Sequence, residues 1–323
     1  MRKVFINDYG RLRSGWRALV FVLATTASFY VLGAGLWALY LLVSELTPPV
    51  RFSRSIADVI YRLTILACAL IAGYLCARFL EDLPWKSLGL TLHRGWLRDL
   101  LIGSAIGFGA LVVAVAIGSL GGGLRFSISD GVTARIIRSM VGSAGLLFIA
   151  ALAEEAMFRG YGLQTLTRAK LAWLGVLLTS VPFGLAHLSN PNVVPGVTFI
   201  NTALAGIWLA AAYLRTRSLW LPLGVHWAWN WALGWFFGLP VSGMTLFSHP
   251  LLKATDEGPA WLTGGSYGIE GGLACTIAMS LFTVFLWRTS WIKATPELKQ
   301  LTSEENPVTP TPVLSIRQVD DQA

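Results

Sequence analysis

Charged residues are scarce, at 13% of 323, and the shortage excludes an ordinary soluble domain: 54% of the chain is hydrophobic and would be stranded in water. Cysteine is scarcer still. Cys68, Cys76 and Cys275 fall inside apolar runs without ligand-like pairing, so they read as small buried hydrophobes and no disulfide framework is expected. On one helix Cys68 and Cys76 would stand roughly 12 Å apart, too far to bridge. There is no H-E-x-x-H helix, the familiar zinc-protease pattern. Nor is there a Lys/Arg stripe interleaved with stacking aromatics. The formal charge of +8 instead punctuates apolar runs, so the expected partner is membrane lipid and not nucleic acid.

What the chain has in quantity is apolar runs of bilayer length, roughly 20 residues each. They predict an all-α polytopic membrane bundle of about eight transmembrane helices, near residues 18–46, 57–79, 99–120, 136–158, 171–188, 196–214, 219–239 and 269–287. The first run follows Arg2, Lys3, Arg11, Arg13 and Arg17 and is about twice as long as a signal-peptide core, so it reads as an uncleaved anchor. Turn residues separate the runs, as in Thr47-Pro48-Pro49, Glu81-Asp82-Leu83-Pro84, Gly121-Gly122-Gly123 and Asn190-Pro191-Asn192.

With a cytoplasmic N-terminus, Arg78, Lys86, Arg94, Arg98, Arg168, Lys170, Arg215, Arg217, Arg288, Lys293 and Lys299 fall inside. The outer side receives only Arg51, Arg54, Arg125, Arg135 and Lys253, so both termini are expected in the cytoplasm. The organisation expected is a basic N-terminus (1–17), N-terminal transmembrane helices (18–134), a catalytic core (135–240), an outer connector with the last transmembrane helix (241–288), and a disordered cytoplasmic tail (289–323). From about residue 295 the tail is polar and proline-bearing without periodicity, through Glu304, Glu305, Pro307, Pro310 and Pro312. The 240–268 connector reads as plain, and no internal or inverted repeat stands out.

Ionisable residues inside apolar spans are costly and default to a functional reading. In Ala153-Glu154-Glu155-Ala156-Met157-Phe158-Arg159-Gly160, Glu155 and Arg159 stand at i and i+4, with the acid first, the favourable order for an ion pair. Glu154 faces elsewhere and is expected to stay unpaired, free to act as a base. The competing reading is a helix end whose charges reach water. In Pro182-Phe183-Gly184-Leu185-Ala186-His187 a histidine closes an apolar run that proline and glycine are expected to break. Taken singly it also fits a satisfied polar residue at a helix end. In His226-Trp227-Ala228-Trp229-Asn230, an imidazole and a carboxamide share one helix face and could donate to an oxyanion, or simply bond between helices. The tryptophans Trp220, Trp227, Trp229, Trp231 and Trp235 read as packing and interfacial anchors without chemistry, and Arg135 and Arg138 as snorkelling residues.

In this order, Glu154-Glu155-x-x-x-Arg159, Phe183-x-x-x-His187 and His226-x-x-x-Asn230 resemble the three motifs of the CPBP (Abi) family of intramembrane glutamic endopeptidases, which includes CaaX prenyl proteases and bacteriocin-processing-like proteins. The resemblance covers residues 154–230. It implies a metal-independent hydrolase of a bacterial plasma membrane in which Glu154, assisted by His187, activates water while His226 and Asn230 support the oxyanion. Glu155, Arg159 and Phe183 would be supports, and the substrate a membrane-associated or prenylated peptide or protein. Straight spans put His187 and His226 at different depths, so irregular backbone around Pro182, tilt or shifted boundaries are expected. One alternative makes Glu154, His187 and His226 ligands of a catalytic zinc. Others are a non-catalytic immunity or adaptor protein and a proton-coupled transporter. Oligomeric state is not readable.

Overall fold

A computed structural model describes residues 2–46, 54–129 and 134–303. The Thr47-Pro48-Pro49 connector, Arg51 and the acidic, proline-bearing tail beyond 303 lie outside them. The elements in chain order are α1 (Arg2–Phe5), α2 (Ser14–Leu46), α3 (Arg54–Glu81), α4 (Trp96–Gly122), β1 (Leu124–Ile128), α5 (Ala134–Phe158), α6 (Tyr161–Arg168), α7 (Ala172–Ala186), α8 (Val197–Thr216), α9 (Trp220–Trp231), β2 (Leu252–Asp256), α10 (Ala260–Thr263), α11 (Leu273–Arg288) and α12 (Pro296–Ser303). The chain is a helical polytopic bundle, and all eight expected runs are helical. Among the described residues six helices are long and apolar enough to cross a membrane. The other two runs are shorter than expected: α9 passes into a π turn at Ala232–Phe236, and α11 has 16 residues.

Two sequence expectations are corrected. The fourth span is not one of them: α5 ends at Phe158, a turn at Arg159-Gly160 follows, and Glu154 lies in the last turns of the helix before the separate, more polar α6. The helix at Pro182 is unbroken: α7 runs through the proline to Ala186, and a 3-10 turn, His187–Ser189, follows. The tail is ordered as far as α12, where Leu298 and Thr302 are buried and Thr302 O accepts a bond from Arg217 Nη1 at 3.3 Å. The long connector also has structure of its own. Its β2 pairs antiparallel with β1, Leu124 opposite Asp256 and Ile128 opposite Leu252, which fastens the loop to the end of α4.

Small residues decide how closely the central helices approach. A Cβ on Gly103 or Gly107 of α4 would lie 2.2 Å from the carbonyl oxygen of Leu221 or Val225, and one on Gly224 of α9 would lie 2.2 Å from Leu100 O. The two backbones therefore touch, as helices do in lipid, where apolar burial cannot drive association and dispersion must. Around this seam Ala110, Leu111, Leu221, Val225, Trp208 and Trp229 form the core. Gly107→Val should overpack it by about 1–3 kcal/mol and lower the thermal midpoint in detergent. Gly142→Ala, whose Cβ meets nothing within 4 Å, should not. Equal midpoints for the two variants would refute the close-approach argument.

A buried ionic knot holds the ends of three helices. Glu81 at the end of α3 accepts from Arg17 Nη1 of α2 at 2.6 Å and from Arg168 Nε and Nη2 of α6 at 3.0 and 2.6 Å. Both guanidinium groups are inaccessible to solvent. The knot sets the position of α3 and α6, and so of the α5–α6 segment that carries Glu154.

Candidate active site

Two adjacent acids on α5 have different surroundings. Glu155 is fully buried, and its Oε1 accepts from Arg159 Nη1 at 3.1 Å, one turn on, and from His226 Nδ1 at 2.8 Å. Arg159 also donates from Nη2 to Gly206 O of α8 at 3.1 Å, and its guanidinium carbon stands 4.5 Å from the centre of the Phe183 ring. Ion pair, carbonyl and ring together compensate a buried cation that would otherwise be very costly. Gly206 makes the arrangement fit, since a Cβ there would come within 2.7 Å of Ser180 Cα on α7.

Phe183 lies between the two histidines, its centroid 4.7 Å from the His187 ring and 6.1 Å from that of His226. His187 Nδ1 is 2.8 Å from Phe183 O. A carbonyl only accepts, so Nδ1 carries the hydrogen and the neutral ring presents Nε2 as an acceptor. The same logic puts a hydrogen on His226 Nδ1, facing the Glu155 carboxylate, and leaves Nε2 facing Glu154 Oε2 at 3.7 Å. His226 is thus tied to the acid pair and is not a free partner of Asn230. The tryptophans around it hold α9 against α5: Trp227 Nε1 donates to Ala144 O at 2.9 Å and Trp231 Nε1 to Met140 O at 3.4 Å.

Glu154 is not unpaired, contrary to the sequence reading. Arg62 of α3 places Nη1 3.7 Å from Glu154 Oε1, within ion-pair range but too far for a hydrogen bond. The other oxygen, Oε2, is buried and has no hydrogen-bond partner among the described residues. Both side chains open on a cavity of about 330 Å³ that His187, His226, Asn230 and Glu270 also line. Asn230 has no hydrogen-bond partner among the described residues, so its carboxamide is free to meet a ligand.

Two cavity residues escaped the sequence reading. Arg62 is a charge inside an apolar helix, away from its ends, and that placement was the available signal. Glu270 stood at the first turn of the expected 269–287 span, where an acid reads as a helix end, and the structure places it in the connector just before α11. There its Oε1 accepts from Trp229 Nε1 at 2.9 Å and its Oε2 from Ser242 N at 2.6 Å, while its own carbonyl accepts from Asn201 Nδ2 at 2.8 Å. Trp229 is thus more than a packing residue. It links α9 to the connector. Burial raises the pKa of Glu270, against the lowering effect of the Ser242 and Trp229 donors and of His187 and His226. Among the described residues no three His, Cys, Asp or Glu side chains are grouped so as to hold a metal ion. Glu154, His187 and His226, the ligands of the zinc alternative, are not brought together into such a group. Cys68, Cys76 and Cys275 are all buried.

Comparison with curated proteins finds no match. Residues 136–232 match the family described as type II CAAX prenyl endopeptidase, Rce1-like, a family of membrane peptidases. The match runs from α5 to the start of the π turn and covers all three motifs whose resemblance pointed to the CaaX proteases.

Proposed function

We propose that the chain is an intramembrane endopeptidase that hydrolyses peptide bonds of membrane-associated or CaaX-type prenylated substrates through a glutamate-activated water, without a metal. The observation that carries the reading is the Glu154 carboxylate itself. It opens on a cavity between Arg62 and His226, with one oxygen free of any hydrogen bond among the described residues. Such an oxygen can take a proton from water.

In this reading water attacks the scissile carbonyl carbon as its proton passes to Glu154, with the acceptor nitrogen of His187 helping to orient it. The carbonyl oxygen becomes an oxyanion, which Asn230 stabilises with its free amide hydrogens. His226 contributes from the Glu154 side, steadied by Glu155 and Arg159. The proton held by Glu154 then goes to the leaving nitrogen, the C–N bond breaks, and a carboxylic acid and an amine depart. The cavity recruits the peptide from the membrane, in which both chain termini face the cytoplasm by their basic flanks.

The test uses chelator-treated protein in mild detergent and a library of prenylated and unprenylated membrane peptides. Wild type should cleave, and Glu154→Gln, still folded, should not. Activity restored only by added zinc would favour a metalloenzyme, and equal cleavage by both proteins would remove Glu154 from the mechanism.

A further inference from the structure

Arg62 is an unusual residue to find where it is. A guanidinium inside an apolar span is expensive, and partners normally claim it. Here its contact with Glu154 is a loose 3.7 Å, and its buried Nε has no hydrogen-bond partner among the described residues. The side chain is 22% exposed, toward the cavity. The other arginine near the site, Arg159, is fully buried and already engaged with Glu155, Gly206 O and the Phe183 ring. Of the residues lining the cavity, Arg62 is the one Lys or Arg, set against the acids Glu154 and Glu270.

From this placement we infer that Arg62 is a specificity-determining residue that binds a carboxylate of the substrate, the free C-terminal carboxylate of the peptide, beside the bond to be cut. The inference rests on the peptidase reading above. A backbone carbonyl offers a guanidinium one neutral acceptor, as Gly206 O does Arg159, whereas a carboxylate brings opposite charge and matches its planar fork with two oxygens. An anion entering this cavity meets two acids, so the cation must be what admits it. An internal segment of a long chain brings a carboxylate only by way of an acidic side chain. A substrate cut close to its C-terminus brings one always. Engaging Arg62 also draws it off Glu154, so an occupied subsite leaves the base facing water and His226.

The experiment compares three dansylated, S-farnesylated hexapeptides: a free acid, its C-terminal amide, and that amide with an aspartate as last residue. Cleavage is read with wild type, Arg62→Gln and Arg62→Lys, and equilibrium binding in the Glu154→Gln background with and without Arg62→Gln. Wild type should prefer the acid over the amide by roughly ten- to a hundredfold, mostly in KM, the value of a charge-assisted bond. Arg62→Gln should erase the preference and Arg62→Lys should keep part of it. Rescue by the aspartyl amide would assign the subsite to acidic side chains and overturn the C-terminal assignment. A fall in kcat that is equal for acid and amide would show Arg62 acting on Glu154 alone. If nothing is cleaved the peptidase reading fails, yet the binding ratio still judges Arg62: equal affinities for acid and amide overturn the inference.

Discussion

Glu154→Gln is expected to lower kcat by about 10²–10⁴-fold, the usual contribution of a positioned general base, with little change in KM. The substitution keeps the shape of the side chain and removes its basicity. It should also leave the fold intact, because Glu154 is one-quarter exposed on the cavity and its two ionic contacts are both 3.7 Å long. Glutamine also keeps a polar oxygen facing Arg62 and His226, so neither is left against an apolar surface. Glu155 differs in each respect. It is fully buried and holds both Arg159 and His226, so Glu155→Gln should lower the melting temperature as well as activity. Single-turnover cleavage together with thermal unfolding separates the two residues. A Glu154→Gln protein that unfolds like Glu155→Gln would mean that the two acids share one structural role.

Glu81→Ala should destabilise the protein by about 3–5 kcal/mol, as expected when one partner of a buried ionic group is removed and the others stay behind. Two guanidinium groups depend on this carboxylate, from helices far apart in the chain, and neither reaches solvent. Glu81→Gln keeps an acceptor oxygen and should lose less. The comparison that decides is Arg125→Ala, which breaks an exposed 3.7 Å pair with Glu257 and should cost less than about 1 kcal/mol. Similar unfolding midpoints for Glu81→Ala and Arg125→Ala would refute the knot as a structural anchor. Because α6 follows α5, which carries Glu154, after a two-residue turn, a partial loosening should also cut activity before the bundle unfolds.

Helix identity was legible because length and hydropathy alone decide whether a run suits a bilayer, and each of the eight runs read from them is helical. Boundaries were less legible. The fourth run ends at Phe158 as read, but α9 and α11 are shorter than the runs that announced them. The break expected at Pro182 did not appear: α7 accommodates the proline, and the turn comes after Ala186, where the 3-10 residues begin. The unexpected helix in the tail owes its order to contacts with the body of the protein, which local composition cannot report.

The sequence by itself determined that this chain is a helical membrane protein and which residues to watch, since hydropathy, the i to i+4 pairing of Glu155 with Arg159 and the three ordered motifs are local properties of one strand of text. Tertiary structure alone decided what those residues face. Arg62, Glu154 and Glu270 come from α3, α5 and the connector before α11, and nothing in their spacing says that they share a cavity. That is settled by where backbones can touch, at Gly103, Gly107, Gly206 and Gly224, and by where buried charges must find partners. Both are long-range conditions, satisfied only when the whole bundle is assembled.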